Sequence, residues 1–213
     1  MDPRTELKQT LVITIKGLQT ASKPDAPITD LDINKQQVQS IEALAASLES
    51  LTPYPYPLAD QDATQCLNGA WLLLYSDARE IRSLASLPLG LVVGKVLQII
   101  DVANLSFENK AYVRHPWGIV TGYVRITATF EPKPPESDTV RDRGINVYFQ
   151  KRYLNVQAVM GIKTPGLEPL KEFSARLPEG SRIPSLDITY LDQDLRLGRG
   201  GDGSLFILAR HEV

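Results

Sequence analysis

The sequence predicts a mainly β protein: an antiparallel barrel of about eight strands with helices at its N-terminus. Three observations carry that expectation. Apolar residues recur at helical spacing only before the Thr52-Pro-Tyr-Pro-Tyr-Pro57 run. From Cys66 onward the period changes to two. The strand-like runs then follow one another with Gly, Pro, Asn and Asp signals between them and no crossover helix, which is the pattern of antiparallel neighbours. About eight such strands can close into a barrel whose interior holds side chains or one small ligand, with a two-sheet sandwich as the competing architecture.

Asp2 followed by Pro3 is a good helix start, because Pro at the first helical position loses no hydrogen bond there. Leu7, Leu11, Ile15 and Leu18 then form one stripe, with Gly17 near the fraying end. After a polar connector containing Pro24 and Pro27, Asn34 and Gln37 stand at capping-box spacing, and Val38, Ile41, Ala45, Leu48 and Leu51 make a second apolar stripe. The proline run that follows cannot be helix interior and reads as an extended spacer. The expected organisation is therefore a helical segment with its linker over 1–57 and one barrel over 58–213.

Strands are expected over 69–76, 92–101, 105–113, 119–131, 144–150, 153–162, 186–197 and 205–210. The 119–131 run is the clearest: Val120, Val124, Ile126, Ala128 and Phe130 alternate with Thr121, Tyr123, Arg125, Thr127 and Thr129. Residues 131–138 read as a polar, mobile loop. Gly198, Gly200, Gly201 and Gly203 lack the Lys-Ser/Thr of a phosphate-binding loop and stand between strands, so a hairpin turn explains them.

Among 213 residues, 43% are hydrophobic and 23% charged, enough apolar material for a sizeable core. A formal charge of −2 offers no bulk attraction to nucleic acid, and no nucleic-acid partner is expected. Cys66 is the single cysteine, which excludes an intrachain disulfide and a cysteine metal cluster and fits a reducing compartment. The acidic, polar opening has neither a secretory h-region nor the Arg/Ser bias of a transit peptide. The greasiest stretch, 84–100, is broken by Pro88, Gly90, Gly94, Lys95 and Gln98 and is not expected to span a membrane.

Catalytic signals are poor. His115 and His211 have no metal-binding spacing, and no Gly-x-Ser-x-Gly elbow accompanies them, so neither a zinc site nor a serine-type triad is expected. Asp187, Asp192 and Asp194 are read mainly as turn caps and ion-pair partners of Arg196 or Arg199, with a functional cluster at a barrel mouth as the other reading. No cofactor, metal or catalytic residue is assigned.

Two segments carry a family resemblance. Leu67-Asn-Gly-Ala-Trp-Leu-Leu-Leu-Tyr-Ser76 resembles the opening strand of the plastid lipid-associated protein (PAP)/fibrillin family, including the Gly-x-Trp element shared with lipocalins. The aspartate-rich 186–208 stretch with its Gly198-Arg-Gly-Gly-Asp-Gly203 turn is similar to that family's closing hairpin. The resemblance covers about 34–210 and implies a lipocalin-like barrel. It further implies thylakoid and plastoglobule association, a non-enzymatic role with lipids, carotenoids or prenylquinones, and photoprotection. The lack of a transit peptide suggests a cyanobacterial member or a trimmed, mature form, and the expected place is peripheral, on the cytoplasmic side of thylakoid membrane or lipid droplets.

In such a barrel Trp71 sits near the closed end with its indole N–H needing an acceptor and an arginine, Arg199 or Arg210, stacked on its face. Leu73, Tyr75, Val124, Ile126, Val147 and Phe149 are expected to point inward, either filling the barrel or lining a site for a hydrophobic small molecule. The leucine-rich 84–93 segment is either an entry lid that touches membrane or a plug folded into the barrel. Two other function classes compete: a pocket isomerase or cyclase using Tyr75, Asp187 or Asp194, and an adaptor whose N-terminal helices bind a protein.

Overall fold

The computed structural model describes residues 2–19, 25–134, 143–178 and 180–212. Part of the expected 131–138 loop and Pro24 lie outside these residues. Helix α1 (Pro3–Leu18) begins at the Asp2-Pro3 signal. Helix α2 (Lys35–Glu49) carries the complete capping box, with Asn34 accepting from the Gln37 N–H and the Gln37 side chain accepting from the Asn34 N–H. A third helix, α3 (Gln61–Leu67), is capped by Asp60, which accepts from the Ala63 N–H, and the period-two reading missed it.

The strands are β1 (Gly69–Ser76), β2 (Val92–Asp101), β3 (Ser106–Arg114), β4 (Val120–Pro132), β5 (Gly144–Val159), β6 (Ile162–Lys163), β7 (Lys171–Ser174), β8 (Ser185–Leu191), β9 (Leu195–Gly200) and β10 (Leu205–Arg210). Between β1 and β2 lie α4 (Arg79–Arg82) and two short 3-10 turns, Ser83–Ser86 and Pro88–Gly90. The order β1-β2-β3-β4-β5-β8-β9-β10 returns to β1, every neighbour antiparallel, so eight strands form a ring. Strand pairing excludes the open sandwich.

Two expected boundaries differ. The 144–150 and 153–162 runs are one strand, β5, because an irregularity opposite Thr127 and Ala128 absorbs the break in alternation. The 186–197 run is two strands, because Asp192 turns the chain: its Oδ1 accepts from the N–H groups of Asp194 and Leu195, both at 2.8 Å. The pairing of β5 with β8 is limited to residues 144–146, after which β5 pairs with β7.

Two apolar cores share the ring wall. The inner one gathers Trp71, Leu73, Val96, Phe107, Val147 and Leu208, with Ala63 and Leu67 of α3 closing its lower end. The outer one joins Leu11 and Ile15 of α1 and Ile41, Ala45 and Leu48 of α2 to the outward faces of β1, β8, β9 and β10. Most of both helical stripes is thus buried on the ring wall, with Val38 and Leu51 outside this core. Lys8 anchors α1 to the β8–β9 turn by ion pairs of 2.9 Å with Asp192 and Asp194.

Candidate functional site

Strand β1 sets the geometry of the closed end. Gly69 adopts φ +105°, a backbone state open to glycine, and two residues later Trp71 enters the inner core. The indole N–H donates to the Leu67 carbonyl at 2.9 Å, the acceptor that burial of this ring demands. Arg210, opposite Trp71 in the β1–β10 register, lies over the ring at 3.9 Å, which resolves the choice between the two arginines. Its guanidinium donates to the carbonyls of Asn68, at 2.7 Å, and of Cys66, tying α3 to β10. Arg199 instead projects outward to α2, where Glu49 and Glu42 hold it at 2.9 and 2.7 Å. Burial works against its charge, but the hydrogen bonds to those carboxylates outweigh it and raise its pKa.

A second arginine meets Trp71 that sequence spacing did not single out for this role. Arg196, buried on the inner face of β9, lies 5.3 Å from the ring centroid and donates to the Gln98 side chain. Burial, with the nearby Arg210 charge, lowers its pKa to about 9. No carboxylate pairs with it among the described residues, so the expected Asp–Arg196 pair does not form. Alternation alone could have placed Arg196 inside, since it faces Leu208 across the β9–β10 ladder.

Period two also misplaced Tyr75. An irregularity between Leu73 and Tyr75 turns Tyr75 to the outer core, where Ile28 bridges to the same stretch through its N–H to the Leu74 carbonyl at 2.9 Å. Leu73 and Val147 lie in the inner core and Phe149 packs against it. Val124 and Ile126 are half-buried on the same alternating face of β4 as Ala128 and Phe130, but outside the inner cluster.

The inner core is packed most tightly near Trp71, while Val124 and Ile126 farther along the ring stay half-buried. A small, partly open cavity of about 30 Å³ lies at the closed end, bordered by Gln98, Arg196 and apolar side chains such as Phe107 and Phe130. That is room for about one water molecule. A shallow surface groove of about 490 Å³ runs beside α1, lined by Lys8, Gln9, Val12, Ile13 and strand residues. At the other end of the ring, Ile81, Leu84 and Leu87 pack against the inner core, so most of the leucine-rich segment is a plug. Its tip is not: Leu89 is 86% exposed.

Leu89 has company that the sequence reading did not notice. Trp117 in the β3–β4 turn is 84% exposed, Met160 in the β5–β6 turn 78%, and Ile162 72%. The turns adjoin: Gly90 lies against the His115 ring, His115 meets Trp117 edge-on at 5.5 Å, and the Met160 N–H donates to the Ile119 carbonyl at 2.8 Å. The signal in the sequence was a repeated pair, an apolar residue followed by glycine: Leu89-Gly90, Trp117-Gly118 and Met160-Gly161.

The acids considered for catalysis are dispersed. Asp187 pairs with Lys133 at 3.2 Å, Asp194 with Lys8 at 2.9 Å, and Tyr75 is buried beneath the helices, so they share no pocket. Asp192 is a structural hub: burial opposes its charge, but hydrogen bonds from Tyr190, Lys8 and two backbone N–H groups outweigh that and lower its pKa. Among the described residues no group of three or more His, Cys, Asp or Glu side chains could hold a metal, and no helix is long and apolar enough to cross a membrane.

The family model PAP_fibrillin matches residues 5–209. The chain is 32% identical over 234 residues to plastoglobulin-1, chloroplastic, of Pisum sativum, covering 96% of this chain and 60% of that protein. It is 31% identical over 243 residues to plastid lipid-associated protein 3, chloroplastic, of Brassica campestris, covering 99% and 62%. It is 29% identical over 209 residues to the chromoplast-specific carotenoid-associated protein of Cucumis sativus, covering 84% and 62%. The chain thus spans about three fifths of the length of these relatives. No solved structure matches it.

Proposed function

The chain belongs to the PAP/fibrillin family, and from that premise we propose that it is a non-enzymatic structural protein of lipid surfaces, seated peripherally on thylakoid membrane or plastoglobule-like lipid droplets. Carotenoids or prenylquinones are met in that lipid phase and not in a private pocket. The observation that carries this reading is a contrast: the cavity at the closed end, about 30 Å³, has no room for an isoprenoid, whereas large apolar side chains stand exposed outside the ring. Coating follows from that arrangement more directly than carriage does. Any photoprotective role would then come from organising pigments and quinones at the surface.

The dispersal of Tyr75, Asp187 and Asp194 supports the non-enzymatic reading over a pocket isomerase or cyclase. The adaptor reading loses most of its apolar helical stripes, whose central residues Leu11, Ile15, Ile41, Ala45 and Leu48 are buried on the ring. Flotation of the purified chain with lipid droplets, followed by extraction and mass spectrometry of the delipidated protein, tests the proposal. The expected result is flotation with no stoichiometric isoprenoid retained after delipidation. A tightly held carotenoid or quinone surviving that step would return the function to carriage.

A further inference from the structure

We propose that the three apolar-glycine turns at the plugged end are the edge by which this protein enters an anionic lipid surface, leaving α1 and α2 on the flank of the ring. The proposal rests on the lipid-surface reading above and assigns it a place and a head-group chemistry.

The first argument is shape. Leu89, Trp117 and Met160 project from the tips of three separate turns that touch one another at their bases. A protein partner would need three preformed pockets in matching positions. A fluid fills the spaces between prongs without any matching, and a tryptophan among them is suited to the boundary between head groups and hydrocarbon. Singly exposed apolar residues such as Ile13 and Leu31 need no such explanation, but an adjoining group at one end does.

The second argument is backbone conformation. Leu89 and Met160 hold φ +59° and +48°, each followed by a left-handed glycine, Gly90 and Gly161. In a two-residue turn such as Met160-Gly161, closed by the Val159–Ile162 pair, Asn, Asp or Gly is the favoured first residue. The turns carry apolar side chains where local energetics favours small polar ones. Folding gains nothing from them there, since both are exposed, which leaves an external contact as what they serve.

The third argument is charge. Within a few residues of the tips stand Lys95 on β2 and Lys163 on β6, with Glu168 in the loop beyond, while Arg79 and Glu80 of α4 offset each other and the whole chain carries −2. Lysines beside apolar tips, on a protein acidic as a whole, are the arrangement that draws such an edge to anionic head groups.

The test uses the full chain with vesicles of phosphatidylcholine alone or mixed with phosphatidylglycerol. The molecule contains its own reporter, because Trp71 is buried and Trp117 exposed. Bromine-labelled acyl chains should quench Trp117, and Trp117→Phe should abolish quenching while retaining flotation. The triple variant Leu89→Ser, Trp117→Ser, Met160→Ser should lower partitioning by about 100-fold or more, given three lost apolar contacts. Lys95→Glu with Lys163→Glu should remove the preference for phosphatidylglycerol. If the wild type floats but is unquenched, or the triple variant floats equally well, this edge is wrong while the lipid-surface reading stands. If the wild type binds neither vesicle, both fail. Lipid-free self-association that the triple variant abolishes would reassign the edge to a second copy of this chain and overturn the proposal.

Discussion

The two tryptophans stand at opposite ends of the ring and are held in opposite ways. Trp71 is buried, its N–H accepted by the Leu67 carbonyl, its face covered by Arg210 and its end of the ring closed by α3. Trp117 lies in the open on a tight turn, touching the edge of His115. Equal in chemistry, the rings differ in what surrounds them: Trp71 is enclosed by the fold, whereas the tips at the plugged end, Leu89, Trp117 and Met160, stand outside it. Stability and surface chemistry are therefore separable in this molecule, and mutations should divide along that line.

The sharpest division is between the rings themselves. Trp71→Ala should cost about 3–5 kcal/mol in urea denaturation, from lost burial and the cavity left behind. Trp117→Ala should change stability by no more than about 0.5 kcal/mol. A similar loss for both would erase the contrast between the two ends.

A smaller effect is expected where α2 is pinned to the wall. Arg199→Ala strands Glu49, which also accepts from the Thr189 hydroxyl at 2.6 Å, and should cost about 1–3 kcal/mol. Amide exchange should show α2 opening before the ring. Uniform loss of protection would mean that helices and ring form one cooperative unit.

The closed end also contains a feature that opposes stability. Replacing the buried Arg196 and its partner together, as Arg196→Met with Gln98→Met, should raise stability by about 1 kcal/mol. The sign of its pH dependence follows from a folded pKa of about 9, lower than the ordinary arginine value. The unfolded chain then holds the proton more tightly. Raising the pH past about 9 favours the folded wild type, and the gap between the double variant and wild type should narrow. A gap constant with pH would show that Arg196 carries no such penalty.

The smallest effect lies at the plugged end. Met160→Asn suits the left-handed turn better and should stabilise the fold by about 0.5 kcal/mol while weakening vesicle binding. Opposite signs in thermal denaturation and flotation would show an apolar side chain kept at a cost to the fold.

Much of the architecture was legible without coordinates because its causes are local. The Asn34–Gln37 capping box needs only a helix start, and β1, β2 and β10 needed only alternation bounded by turn residues. Trp71 could be assigned a need for an acceptor and a stacked arginine from its size and its single N–H. Where alternation failed, the cause lay in another part of the chain. Tyr75 left the inner face because β1 slips against β10, and residues 144–159 became one strand because β4 continues alongside.

By itself, the sequence determined the switch from helical to alternating periodicity, the capping box and the bounds of strands such as β1 and β10, since these depend on neighbours along the chain. The tertiary structure decided which arginine covers Trp71, which carboxylates hold Arg199 across 150 residues, how small the cavity at the closed end is, and that three scattered apolar-glycine pairs meet at one end. The physical reason is that ion pairs, cavities and surface patches depend on distances in space, and only closure of the ring sets those distances.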